Sequence, residues 1–307
     1  MAFAFKPLAR KQAYLRLAIQ GVSGGGKTYA ALTLAQMFGK RIAAIDSERG
    51  SLAKCAAAYD AQGRPVADGG VLDERNVSAF IEAIQAAGAA GYEVLIVDSY
   101  SHSWLGALEQ VDAIGGNKFT GGWKVISPLV TKLVDTILSY PGHVIVTMRS
   151  KSEYVIEQNA KGKSEPRKIG LAAVAREGQE YEFDVVLDLD TSGNVNVAKS
   201  RCPGLSPGSL LRRGEPGTKE IGDWPKVADA IKSWLETGAE PTPAEKLIER
   251  LKFANDATTL AALGKEIADL KTAGSLTTED LALIGKAYLS RKAENEAANA
   301  DPLDGVS

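Results

Sequence analysis

Residues 21–28 read Gly21-Val22-Ser23-Gly24-Gly25-Gly26-Lys27-Thr28. The glycines, the lysine and the closing hydroxyl stand at the spacing G-x-x-x-x-G-K-[ST]. Glycines let a backbone curl until its N–H groups converge on an oxyanion. An apolar run at residues 14–19 precedes the loop and reads as a strand; residues 29–38 follow it and read as a helix. The loop therefore sits at a helix N-terminus, where the helix dipole adds positive potential. The chemistry this implies is capture of a nucleotide's phosphates. Lys27 would reach the β- and γ-phosphates, and the Thr28 hydroxyl would ligate Mg²⁺. Candidate nucleotide contacts are Gly21, Ser23, Gly24, Gly25, Gly26, Lys27, Thr28 and Tyr29. The competing reading is a glycine-rich turn with a solvated lysine; the flanking strand and helix argue against it.

Two acidic positions fit the same chemistry. Tyr92-Glu93-Val94-Leu95-Ile96-Val97-Asp98 is an apolar strand ending in a carboxylate, about 70 residues past the loop. Asp98 would hold Mg²⁺ together with Thr28. On its own such an aspartate also fits a turn or a helix cap. Ile45-Asp46-Ser47-Glu48 closes another strand-like run. A carboxylate there either faces the γ-phosphate side, where it orients or deprotonates water, or belongs to an exposed acidic loop. Tyr100, His102 and Trp104 follow Asp98, with His102 read as a polar neighbour of the site rather than a base.

These side chains need a scaffold that brings strand ends together. Strand-like runs at 14–19, 41–45, 94–97 and 143–147 alternate with helical stretches at 27–38, 77–87 and 123–138. That alternation predicts a parallel sheet covered by helices. Residues 154–157 and 167–169 read as one hairpin, 183–189 and 194–199 as a second, so the later sheet has antiparallel edges. The expected organisation is a core over residues 1–236, a proline-containing linker at 237–243, and a helical unit at 244–293 with helices at 244–254, 258–273 and 277–293. Residues 294–307 read as a disordered acidic tail, one that engages a basic partner or, the favoured reading, is simply solvated.

Composition limits the alternatives. The 307 residues are 45% hydrophobic and 24% charged, ordinary for a globular chain, and the formal net charge is −2. Any nucleic-acid contact must come from a local basic patch. Cys55 and Cys202 form no C-x-x-C motif, and with two histidines a Cys/His metal site is implausible. No apolar stretch is long enough for a membrane helix, and the start carries no signal pattern. The expectation is a cytoplasmic protein with no membrane contact.

The order of phosphate loop, Ile-Asp-x-Glu and Val-x-Ile-Val-Asp-Ser resembles the RecA-type ATPase core, over about residues 12–235. The resemblance implies an α/β, RecA-like P-loop NTPase core using ATP and Mg²⁺, with Glu48 as the base that activates water. Three later segments extend it: Thr147-Met148-Arg149-Ser150-Lys151, residues 176–186, and Val197-Ala198-Lys199-Ser200-Arg201. They resemble small bacteriophage-encoded RecA-like ATPases, some of which act in single-strand annealing or recombination. That implies single-stranded DNA as a partner, self-assembly into a ring or filament, a single-strand-binding protein as a further partner, and the host cytoplasm as location. Thr147 stands where relatives place a γ-phosphate sensor, usually a glutamine. Lys199 and Arg201 resemble the Lys-x-Arg pair that ring-forming relatives present to a neighbour's nucleotide, with Arg176 a weaker candidate. DNA contacts would fall in residues 114–124, including Lys118, Phe119, Trp123 and Lys124, and in residues 149–176, including Arg149, Lys151, Tyr154, Lys161, Lys163, Arg167 and Lys168. Each segment reads equally well as an ordinary loop. The rival functions are a nucleotide-dependent switch that binds a protein partner without touching DNA, and a small-molecule kinase. The Ile-Asp-Ser-Glu glutamate and the Lys-Ser-Arg strand argue against the kinase.

Overall fold

The computed structural model describes residues 12–55, 67–73, 75–116, 121–158, 164–215 and 220–300. Its centre is a mixed sheet in which helices cover both faces. The phosphate-loop strand β1 (Arg16–Gly21) leads into α1 (Lys27–Phe38), β2 (Ile42–Asp46), β3 (Asp68–Val71), α2 (Val77–Ala90) and β4 (Val94–Asp98). After α3 (Tyr100–Ile114) and α4 (Gly122–Leu138) come β5 (His143–Gln158), β6 (Ser164–Ala173), β7 (Val185–Leu189), β8 (Asn194–Ser200) and β9 (Leu210–Arg212). The strand order is β3-β2-β4-β5-β1-β7-β8-β9, with β6 paired only to β5. Pairings from β3 to β7 are parallel; β7–β8, β8–β9 and β5–β6 are antiparallel.

Period-two alternation distributes the core. Leu17, Ile19, Ile96 and Ile145 face α1 and α5 (Trp224–Leu235), whereas Ala18, Leu95, Val97, Val144 and Val146 face α2, α3 and α4. Helices cover both faces of β1, β2 and β4, so these strands are buried along their whole length and are mainly apolar, with Arg16, Gln20, Asp46 and Asp98 as the polar exceptions. The helical unit is α6 (Pro243–Leu251), α7 (Ala257–Thr272) and α8 (Thr278–Ala300). Thr242 and Glu245 form a reciprocal capping box at the start of α6. The unit has its own small core around Leu247, Leu251, Leu260, Leu263 and Ile284. It is joined to the larger one by Phe253, which packs against Tyr140, and by Arg250, which donates to the Ala89 carbonyl at 3.3 and 3.2 Å.

The structure corrects several expectations. Strand 143–147 and the first arm of the hairpin are one continuous 16-residue strand, β5. Helix α3 and strands β3 and β9 were not anticipated: β3 contains Gly69 and Gly70 and is exposed, and β9 has only three residues. Residues 294–300, expected to be tail, continue α8; residues 301–307 lie outside the described part.

His143 opens β5 beneath the aromatic rings of Tyr14 and Phe38, at 5.5 and 5.2 Å between centroids. Its Nδ1 accepts the Leu15 N–H at 3.0 Å, so the ring must be neutral there. Burial, with help from Arg16 and Lys232 and against Glu93, pulls its pKa from 6.5 down to about 4. A depressed folded-state pKa stabilises the fold above the unfolded value. That contribution, about 3 kcal/mol for this shift, is lost as pH falls from 6.5 through about 4. Melting temperature should therefore fall across that window in the wild type, and less steeply in His143→Gln. Parallel curves for the two proteins would contradict it.

Candidate functional site

The site lies where β1, β2 and β4 end, beside residues 147–149 of the longer β5. Gly21 begins the turn out of β1 because it must: a Cβ there would collide with the Leu189 carbonyl of neighbouring β7. Gly26, at φ 84°, caps α1 in the left-handed region that favours glycine. Among the described residues no side chain caps this helix start, which leaves its first N–H groups open to an anion. Ser23 and Gly24 are exposed at the loop tip. Tyr29 is buried on α1, so its ring offers no open surface for stacking a base.

Lys27 extends back over the loop and donates to the Val22 carbonyl at 3.0 Å. Burial lowers its pKa, while Glu48 and Asp98 pull the other way. The Thr28 hydroxyl donates to Asp98 Oδ2 at 2.6 Å, and the Thr147 hydroxyl donates to Asp98 Oδ1 at 2.5 Å. Burial raises the Asp98 pKa, and these two hydrogen bonds oppose the rise. Thr28 and Asp98 thus present hard oxygen donors to one point, a set that fits Mg²⁺. Among the described residues no group of three or more His, Cys, Asp or Glu side chains could hold a metal unaided. Phosphate oxygens and water would complete the shell. Thr147, expected to face a phosphate, is fully buried with its hydroxyl committed to Asp98, so it orients the carboxylate instead.

The two carboxylates of Ile45-Asp46-Ser47-Glu48 part company. Asp46 is buried, and its oxygens accept the N–H groups of Glu48 at 2.7 Å and Leu52 at 2.9 Å. This turn brings Glu48 to Arg149 in the first half of β5. Arg49 follows at φ 57°, a left-handed conformation that is uncommon for a residue with a side chain. Ser47 ties β2 to the start of α3: its Oγ accepts the Ser99 N–H at 2.9 Å and lies 2.9 Å from His102 Nδ1. His102 is buried against these groups and serves as a strut, and burial lowers its pKa.

Arg149, placed by sequence among the DNA contacts, reaches into the site. Its Nε and one terminal nitrogen both donate to Glu48 Oε1, at 3.1 and 2.8 Å. Thr147 and Arg149 are two residues apart on β5, and that period-two spacing would have put both on the site side of the strand. A second arginine was missed altogether. Arg213, just past β9, donates through one terminal nitrogen to the Gly25 carbonyl of the phosphate loop. No local pattern marks it, because the contact spans 188 residues.

Lys199 and Arg201 lie at the other end of the sheet. Lys199 pairs with Val186, three residues short of Leu189, which is level with Gly21. At ~3.3 Å per residue that is about 10 Å along the strands, and two strands across. They do sit together, as their spacing implied. Lys199 donates to the Tyr181 and Phe183 carbonyls at 2.5 and 2.6 Å; Arg201 donates to Tyr181 O at 3.0 Å and pairs with Asp184 at 3.3 Å. Neither is brought to the chain's own phosphate loop. Arg176 is exposed on the turn after β6. Trp123 is half-buried and packs against Trp104 at 5.8 Å between ring centroids. Lys124 and Lys151 are exposed. Lys118, Phe119, Lys161 and Lys163 lie outside the described residues. No described helix is long and apolar enough to cross a membrane.

A search of curated proteins finds no match to the chain. A family model described as an AAA domain matches residues 13–210, a span that runs from the residues before β1 to the first residue of β9 and holds every side chain that converges on Asp98. The chain belongs to the AAA domain family, and its core is a P-loop domain of the ATPase type.

Proposed function

We propose that the protein is a Mg²⁺-dependent, RecA-like ATPase that acts on single-stranded DNA in bacteriophage recombination or replication, as an annealing or strand-pairing factor. The observation that carries the ATPase part is the convergence of Lys27, Thr28, Asp98 and Glu48 at adjacent strand ends, linked by the Thr28–Asp98 hydrogen bond of 2.6 Å. In this reading the loop amides and Lys27 bind the triphosphate, and Thr28 and Asp98 hold Mg²⁺, which neutralises charge between the β- and γ-phosphates. Glu48 takes a proton from the attacking water. Both Arg149 donors fall on its Oε1, which leaves Oε2 for that task.

The DNA part is supported by the continuity of β5. The strand that carries Thr147 and Arg149 runs on into the β5–β6 hairpin, where Tyr154 pairs with Lys168 and Val155 with Arg167. A polyanion bound there acts on the strand whose Arg149 is paired with Glu48. Arg201, remote from its own loop and with its guanidinium half exposed beside Tyr181, is the better placed of the Lys-x-Arg pair to meet the nucleotide of the next subunit in a ring or filament; the Lys199 ammonium would have to leave the Glu180, Tyr181 and Phe183 carbonyls to do so.

The test is fluorescence anisotropy of a labelled single-stranded oligonucleotide with a non-hydrolysable ATP analogue. Binding should require the analogue, fall steeply with salt as phosphate contacts do, and weaken about tenfold or more in a Lys151→Glu/Lys168→Glu protein. Equal, salt-insensitive or absent binding would overturn the DNA role and favour a nucleotide switch that engages a protein partner.

A further inference from the structure

We propose that Arg213 is a positioning residue for the phosphate loop: from the far edge of the sheet it fixes the Gly25–Gly26 peptide so that the Gly26 N–H points at bound phosphate. The inference rests on reading residues 21–28 as the nucleotide site.

The contact is built from several sides. The Arg213 N–H donates to the Gly193 carbonyl at 3.0 Å, which anchors its backbone to the β7–β8 turn. That turn is itself held by Asp190, whose carboxylate accepts the N–H groups of Ser192 at 2.8 Å and Asn194 at 2.9 Å and the Asn194 side chain at 2.7 Å. From there the guanidinium reaches the loop, where one terminal nitrogen donates to the Gly25 carbonyl. The Arg213 side chain occupies the space a Cβ at Gly26 would enter, which shows how closely it approaches the loop; the glycine itself is favoured by its φ of +84°. On the other side, the carbonyls of Leu189 and Asp190 stand 3.3 and 3.5 Å from where a Cβ at Gly25 would be. The Gly25 residue is clasped between β7 and Arg213.

The consequence follows from peptide geometry. The Gly25 carbonyl and the Gly26 N–H belong to one planar trans unit and point in opposite directions. A cation that holds the carbonyl outward aims the N–H inward. A charge-assisted hydrogen bond to that carbonyl also polarises the unit and makes the N–H a stronger donor. Arg213 thereby couples the β7–β9 edge to phosphate affinity without touching the nucleotide.

The experiment titrates the full-length protein, with Mg²⁺, against a fluorescent ATP analogue and uses inorganic tripolyphosphate as competitor. Removing one charge-assisted bond should weaken Arg213→Ala about tenfold for both ligands, by the same factor. Arg213→Lys, which keeps the stem and a cationic donor, should recover part of the loss. Melting temperatures check that the variants are folded. Wild-type affinity in both variants would overturn the proposal while leaving the loop reading intact. Loss for the nucleotide with none for tripolyphosphate would overturn it in favour of a base or sugar contact. Absence of binding by the wild-type protein would remove the loop reading and this proposal with it.

Discussion

Lys27→Ala is expected to lose nucleotide binding by about 100-fold or more, the cost of deleting one partner of a half-buried charged contact. In the structure the ammonium rests on a neutral acceptor, the Val22 carbonyl at 3.0 Å. Burial already depresses its pKa, and Glu48 and Asp98 are the nearby anions that resist the fall. A triphosphate would replace a neutral acceptor with an anionic one at a position the amine already reaches. Deleting the amine leaves the loop's N–H groups in place but removes the full cation that balances the phosphate charge. The loss should appear in both equilibrium binding of ATP and turnover, with the melting temperature nearly unchanged. Affinity within about threefold of wild type would mean that the loop binds something other than polyphosphate, or that Lys27 is merely solvated.

Glu48→Gln should separate binding from chemistry. The amide keeps the size of the carboxylate and can still accept one hydrogen bond from Arg149, but it cannot take a proton from water. General-base loss of this kind costs about 10²–10⁴ in turnover. Binding of ATP should stay within about twofold, since Glu48 is set beside the phosphate cradle rather than in it. Its position depends on the buried Asp46, which accepts the Glu48 N–H at 2.7 Å, and on Arg149 at 2.8 Å. Turnover near the wild-type rate in Glu48→Gln would take Glu48 out of the catalytic role and leave the Arg149 pair as a structural contact only.

What the sequence showed and what it hid divide by range. The phosphate loop is legible because all its determinants are local: glycines for the curl, a strand before and a helix after. Asp98 is legible because a buried parallel strand that ends in a carboxylate stands out against an apolar run. Strands β3 and β9 are invisible for the opposite reason. One is glycine-containing and exposed and the other has three residues, so neither carries a periodic signal. Their places come from pairing with β2 and β8 across the fold. The same holds for side chains. Thr147 can be placed at a strand end, but its hydroxyl binds Asp98 because β4 and β5 are neighbours, with Val97 opposite Val146. Arg149 reads as one more basic residue until β2 brings Glu48 to it. Arg213 depends on the whole sheet order from β1 to β9. Lys199 and Arg201 were legible as a pair on one face. Their partners, the Tyr181 and Phe183 carbonyls, come from the packing of residues 179–184 beside β8, which no local pattern shows.

Steady-state ATP hydrolysis with Mg²⁺, measured with and without single-stranded DNA and alongside Glu48→Gln, tests the central claim most directly. The account predicts turnover that rises when single-stranded DNA is added and disappears in Glu48→Gln under both conditions. No hydrolysis in either condition, or hydrolysis that persists unchanged in the variant, would contradict it.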